Sequence, residues 1–370
     1  MRSRLLTRLD AAIAKARNPV EVACLKAERA CFLARQGQMA QARLLRDALH
    51  TQFAWRPHAA VSAWLSLAEG LHDYYSRLGG SARDRVMRAH ALSGAAHLAP
   101  LRALSAAWLA HMDMASHDMA RMVQHVREAL LGAQPDHHSA RSRACLVVAY
   151  AYHFAGDENR ALPWYARSRI HATADGDEAH LSALMHNQAS LRGNQARLAA
   201  MFGQASPEAT RQALLSTESI TRFDAGIGTA ALVSLVPMMQ AQLLTHDERW
   251  PEALALFELH FDTAMADGLE RMKPCFLADR AWCRLQMGER KLAVADAEAA
   301  ELSLRQPCDL DDRALAQARL AQVKERLGEA REAALLRERA RSDLQAHHVE
   351  QQRLVALLDE ALADIDPATA

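Results

Sequence analysis

Cys145-Leu-Val-Val-Ala-Tyr-Ala-Tyr-His-Phe-Ala155, followed at once by Gly156-Asp157-Glu158-Asn159-Arg160-Ala161, decides the fold class of this chain. The first stretch is apolar on nearly every helical face, so it reads as a helix packed on several sides. Gly156 then supplies the left-handed conformation that ends a helix. Asp157 opens a second helix, and the small Ala161 lets the two helices approach closely. The whole is a helical hairpin.

The same register recurs along the chain. It appears as Gly37-Gln-Met-Ala-Gln-Ala42, Gly288-Glu-Arg-Lys-Leu-Ala293 and Gly328-Glu-Ala-Arg-Glu-Ala333, with Asp247-Glu-Arg-Trp-Pro-Glu-Ala253 as a variant lacking the Gly. Ala253 and Ala293 are 40 residues apart, as are Ala293 and Ala333. The 119 residues from Ala42 to Ala161 hold three such units, and the 92 from Ala161 to Ala253 hold two longer ones. A single hairpin cannot cover its own apolar face, so repeats of this kind stack on their neighbours. Ala42, Ala161, Ala253, Ala293 and Ala333 are therefore expected at buried helix crossings.

Helix-start signals agree. Asn18-Pro19-Val20-Glu21 places an acceptor at the N-cap, Pro at the first helical position and Glu two residues beyond it. Ser206-Pro207-Glu208 opens another helix in the same way, and Asp309 to Asp312 precede a third, where acidic groups complement its positive end. Strand formers are sparse: Ile occurs only at positions 13, 170, 220, 227 and 365. The reading predicts more than 70% helix and no sheet.

These units resemble tetratricopeptide repeats. Arg143–Ile170 carries the pattern best, with Ala149, Tyr152, Gly156, Asp157, Ala161 and Tyr165. The unit from Ala59 starts with Trp64, Leu67, Ala68 and Leu71 but departs at Gly79-Gly80, and Ala241, Leu244, Trp250, Ala253 and Phe257 mark another. Forty residues exceeds the family's period of about 34, and is similar to the longer bacterial repeats of the MalT type. The resemblance implies an all-α fold, an α-solenoid of about eight TPR-like hairpins with a C-terminal capping helix. It divides the chain into N-terminal repeats over 1–192, an irregular unit or hinge over 193–228, C-terminal repeats over 229–342, and a capping helix with tail over 343–370. Units near 60–95, 101–132 and 178–220 are degenerate. The breaker-rich stretch holds Gly193, Gly203, Pro207, Gly226 and Gly228. The last stretch carries Leu336, Leu344, Val349, Leu354 and Leu358, and coiled-coil extension into a homodimer is the rival to a cap.

In that family the first helices of successive hairpins line a concave groove that holds a peptide or protein ligand. Carried over, the groove positions are Arg143, Tyr150 and His153, then Asn187 and Arg192, then Gln242 and His246, then Trp282. Packing between helices is the competing role for Tyr150 and Trp282. The basic clamp known from some members is not apparent, because Lys and Asn do not recur at these positions.

Composition narrows the function classes. Net charge is zero with 24% charged residues, which argues against a broad footprint for nucleic acid or an anionic membrane. No apolar run approaches the roughly 20 residues that span a bilayer. Cys24, Cys31, Cys145, Cys275, Cys283 and Cys308 form no CxxC, so free thiols in a reducing cytoplasm are expected. No phosphate loop, HExxH or GxSxG occurs. Asp309-Leu-Asp-Asp312 lacks the final Asp of a prenyl-transfer metal motif, since Leu315 stands there, and reads better as helix capping. His111, His117 and His125 lie near Asp113 and Asp118, but His111 and Asp113 do not share a helical face. His137-His138 and His347-His348 read as surface residues. The expectation is a non-catalytic binding scaffold without metal or cofactor, in signalling or regulation. The alternative is the regulatory portion of a larger signalling enzyme or transcription regulator, although residues 1–370 leave no room for a helix-turn-helix. A helical enzyme is the third reading.

Overall fold

The computed structural model describes residues 3–77, 81–203, 205–229, 231, 233–366 and 370; Gly79-Gly80 lies outside them. Among the described residues the chain is all-helical, 84% helix in 17 α-helices with no strand. None of these helices is long and apolar enough to cross a membrane. Two compact units emerge, and three helices contribute residues to both.

The first unit comprises Met1–Met185, Phe223–Leu232 and Gln352–Ala370. It begins with α1 (Arg4–Lys15) and continues as four hairpins: α2 (Pro19–Arg35) with α3 (Met39–Phe53), α4 (Ala59–Arg77) with α5 (Ser81–Ala95), α6 (Ala99–Ala115) with α7 (Met119–Gly132), and α8 (His138–Phe154) with α9 (Glu158–Asp175). Helix α2 packs on α4, and α6 on α8, so first helices meet first helices. The core runs through Ala63, Leu67, Leu71, Leu104, Leu109 and Ala140. The start of α10 (Glu178–Phe202) and the end of α11 (Pro207–Ile227) also belong here.

The second unit comprises His186–Arg222 and Val233–Gln351. After the remainder of α10 and α11 come α12 (Leu235–His246) with α13 (Trp250–Ala266), α14 (Lys273–Gln286) with α15 (Arg290–Ser303), and α16 (Leu310–Leu327) with α17 (Ala330–Ala361). Again α12 packs on α14 and α14 on α16. The stretch expected to be irregular is thus helical over 193–202 and 207–227. Gly193 sits buried inside α10, where a side chain would meet Leu243 of α12 at ordinary contact distance, 3.8 Å. Of the leucines expected of a coiled coil, Leu336 is buried in the second unit, Leu354 and Leu358 in the first, and Leu344 is half-buried. Val349 is exposed.

One turn geometry is repeated through both units. In the α8–α9 hairpin Gly156 has φ 81°, the Asp157 amide donates to the Tyr152 carbonyl at 2.9 Å, and the Ala161 amide donates back to the Asp157 carbonyl at 3.1 Å. The first bond is the helix-ending Schellman contact, and Asp157 is at the same time the N-cap of α9. The bonds recur at Gln38, Asp118, Arg249, Glu289 and Glu329. The residue five places after each left-handed turn is the fourth of its helix. Ala42, Ala161, Ala253, Ala293 and Ala333 there are at most 2% exposed, as the register requires. In two hairpins the left-handed residue is not Gly but His117 (φ 58°) or Glu248 (φ 59°). After His117 the buried fourth residue is Met122 rather than Ala.

Helix starts follow local chemistry. The Asn18 side chain accepts from the Val20 amide at 2.9 Å, and Ser206 accepts from the Ala209 amide at 3.2 Å. Asp309 stands at the N-cap of α16 without capping it through its side chain, which pairs instead with Arg271. Asp311 and Asp312 are buried rather than a solvated face. The six cysteines are unpaired by disulfides.

Candidate ligand-binding site

In the first unit the first helices converge on a small cavity with an open mouth. Helix α2 contributes Glu28, Phe32 and Arg35, α4 contributes Trp64, Leu67 and Leu71, α6 contributes Trp108, and α8 contributes Ser139 and Arg143. Leu5 and Leu9 of α1 close one side, and Asp175 at the end of α9, Asp177 in the following turn and His180 at the start of α10 approach from the other. Gly176 docks α1 at that turn. The Leu5 amide donates to the Gly176 carbonyl at 3.1 Å. Gly176 has φ 70°, and a Cβ on it would lie 2.8 Å from Cβ of Arg4, so any other residue would push α1 away. Arg8 reinforces the dock by donating to Asp175 at 2.5 Å.

Arg143 is the unusual member. It is 2% exposed, and its guanidinium lies 3.9 Å from the centroid of the Trp108 ring. None of its three side-chain nitrogens has a hydrogen-bond acceptor among the described residues. A desolvated cation on an indole face gains about 2 kcal/mol, but an unpaired buried ion costs several. The stacking does not satisfy the five N–H donors.

The neighbouring charges are already matched. Arg35 donates to both oxygens of Asp177 at 2.8 and 2.7 Å, and Arg8 holds Asp175. Tyr74 and His111 join at 3.0 Å behind Trp108, where burial and the Arg143 charge pull the His111 pKa down to about 3. Burial, with Arg143 and Arg35 adding to it, likewise holds His180 well below the ordinary histidine range. Both rings are therefore neutral at pH 7. Burial and the nearby Asp175 raise Glu28 to about 7, while Arg8 opposes them. The cavity thus presents one uncompensated positive charge against apolar and aromatic walls.

The other expected groove residues divide between the units. On α8, Tyr150 is half-buried, and His153 is buried with Nδ1 3.1 Å from the Tyr165 hydroxyl. Neither borders the cavity; only Arg143 of that trio does. On α10, Asn187 is half-buried and Arg192 exposed.

In the second unit, Gln242, His246 and Trp282 gather around two buried arginines. Gln242 turns its amide oxygen to accept from Arg197 at 2.7 and 3.2 Å. Arg319 reaches His246 Nε2 at 3.1 Å and lies 5.6 Å from the centroid of the Trp282 ring. Asp279 joins the two cations, at 3.4 Å from Arg197 and 2.8 Å from Arg319. Burial and Arg319 draw His246 down to about 3. Burial and Asp311 push Asp312 up to about 7. This network has internal partners for its charges, unlike Arg143.

Among the described residues no three His, Cys, Asp or Glu side chains are arranged to hold a metal ion. His125 Nδ1 instead pairs with the buried Asp113 at 2.7 Å, and Arg83 pairs with the same carboxylate at 2.6 Å. His117 stacks edge-on against Phe154, and His138 meets His171 at 2.9 Å. His347 is buried, not at the surface.

Arg35, Trp108, Asp177 and His180 went unread in the sequence, as did Arg197, Asp279 and Arg319. The available signal was a charge inside an apolar helical run, as in Cys275-Phe-Leu-Ala-Asp279 and Ala314-Leu-Ala-Gln-Ala-Arg319. No family model matches the chain, and no curated protein matches it in sequence.

Proposed function

We propose that this protein is a non-catalytic binding module: an α-solenoid of about eight TPR-like hairpins, with a capping C-terminal helix, that holds a peptide or protein ligand on the inner face of its first helices. The observation that carries the reading is the unpaired guanidinium of Arg143 in a cavity walled by α1, α2, α4, α6 and α8. A concave apolar pocket with a few converging polar groups is the usual form of a ligand site. The repeated turn and the packing of first helix on first helix support the repeat architecture. A regulatory role in the cytoplasm fits such a scaffold.

Selection from a random synthetic peptide library against the full chain, followed by calorimetry on selected peptides, tests the reading. Trp64→Ala should weaken binding by about 1–3 kcal/mol, as aromatic anchors do. Arg169→Ala, an exposed change on α9, should leave binding unaltered. Equal loss in both variants, with folding intact, would place the ligand elsewhere.

A further inference from the structure

We infer that the Arg143 pocket takes a monoanionic carboxylate carried on a short aliphatic body. The inference rests on the binding-module reading and specifies the chemistry of its ligand.

Three observations converge. Arg143 is buried, lines the cavity, and donates to no described residue. A guanidinium presents a planar pair of N–H groups that matches a carboxylate in two-pronged fashion. Against the Trp108 ring, Arg143 has none of its N–H groups spent on an acceptor, while the residue itself borders the cavity.

The charge count favours one negative charge rather than two. Arg35 is already committed to Asp177, and Arg8 to Asp175. Asp175 and Asp177 border the same space and hold the other cations there, so no second cation is left for a phosphate dianion. The body of the ligand follows from the walls: Leu5, Leu9, Phe32, Leu67 and Leu71 line the same cavity as Arg143, with half-buried Trp64. An aliphatic chain of a few carbons fills such a space by removing apolar area from water. The C-terminus of a peptide ending in an aliphatic residue and a free short-chain carboxylic acid both satisfy this chemistry.

Three probes separate the sources: N-acetyl-Ala-Ala-Leu with a free C-terminus, the same peptide as its C-terminal amide, and 4-methylpentanoate. Each is titrated into the full chain, following tryptophan fluorescence and heat. At least one free acid should bind, and the peptide acid should bind at least about tenfold more tightly than its amide if the source is a C-terminus. Binding of 4-methylpentanoate without the peptide acid assigns the pocket to a free acid, which also supports the inference.

Arg143→Met should erase the preference for acid over amide. Without ligand this variant should melt no lower than the natural protein, because an unpaired charge has left the interior; Arg143→Lys should retain a weakened preference. Equal binding of acid and amide overturns the inference while leaving peptide binding in place. A lower melting temperature of unliganded Arg143→Met, or acetate binding as tightly as 4-methylpentanoate, overturns it as well. So does the absence of a saturable response up to about 10 mM, since charge and apolar contact together should hold a probe below about 1 mM. Peptides from the library that still bind independently of their terminal carboxylate would then preserve the wider reading alone.

Discussion

Asp279 of α14 and Arg319 of α16 stand 40 residues apart and meet side chain to side chain at 2.8 Å in the interior of the second unit. That separation is the spacing of the repeat itself, so the ion pair links equivalent regions of consecutive hairpins. Cys275 Sγ and the Asp312 carbonyl, 37 apart at 2.9 Å, and Tyr74 and His111, 37 apart in the first unit, are bonds of the same kind. The period fixes which side chains face each other across neighbouring first helices.

Asp279→Ala should therefore cost about 3–5 kcal/mol, the penalty for leaving buried cations without their counter-ion. Arg197 and Arg319 both lose a partner in this variant. Urea unfolding at pH 7 measures the change; a loss below about 1 kcal/mol would mean that water or Asp312 replaces the carboxylate readily.

Ala161 and Ala253 are fully buried at the fourth position of their helices. Leucine at either position overpacks the hairpin and should destabilise by about 1–3 kcal/mol. Thermal melts monitored by circular dichroism should show a lower Tm with unchanged helix content below the transition. An unaltered melt would contradict the close approach of the two helices.

The left-handed turns make a paired prediction. Gly328 has φ 91° and open space around its Cα, so Gly328→Ala meets backbone strain alone, about 1–2 kcal/mol. Glu248 already bears that strain at φ 59°. Glu248→Gly relieves it, against about 0.4–1 kcal/mol of added unfolded-state entropy. The net expectation is a gain of roughly 0.5–1 kcal/mol. Denaturant midpoints moving in opposite directions would bear this out; a destabilised Glu248→Gly would mean that the glutamate side chain contributes more than the strain removes.

Glu28 supplies a pH dependence whose sign is definite. Its folded pKa is raised to about 7 by burial and Asp175, against Arg8. The fold therefore prefers the protonated form. This group's contribution is fully present below the unfolded value of about 4.3 and is lost as pH rises through 7. Glu28→Gln should be more stable than the natural protein at pH 8, on the order of 2 kcal/mol for a half-buried carboxyl, and indistinguishable from it near pH 4. Chemical unfolding at both pH values reads the difference. The same advantage at both would remove Glu28 as the titrating group.

Much of the architecture is set locally, and so was legible in the residues. A Gly that takes φ near 80°, an N-cap directly before the first helical residue, and a small residue at the fourth are all choices made within six positions. Ala42, Ala161, Ala293 and Ala333 announce their hairpins for that reason. The 99–132 hairpin was obscure because His117 and Met122 occupy the positions of Gly and Ala. Its backbone makes the same bonds, and side-chain identity no longer reports them.

The sequence by itself determined the helical class, the period and the crossings at small residues, because helix periodicity and turn conformation depend on neighbours along the chain. It also offered Arg143 as a residue of interest, through a repeat position alone. Only the tertiary structure decided that Arg143 is buried without an acceptor while Arg35, on a neighbouring face of the same cavity, is matched by Asp177 142 residues away. Likewise Gln242, His246 and Trp282 share a place because Arg197 and Arg319 arrive between them from α10 and α16. Whether a buried charge finds a partner depends on which distant helices the packing brings within about 3 Å of it, and no local pattern carries that information.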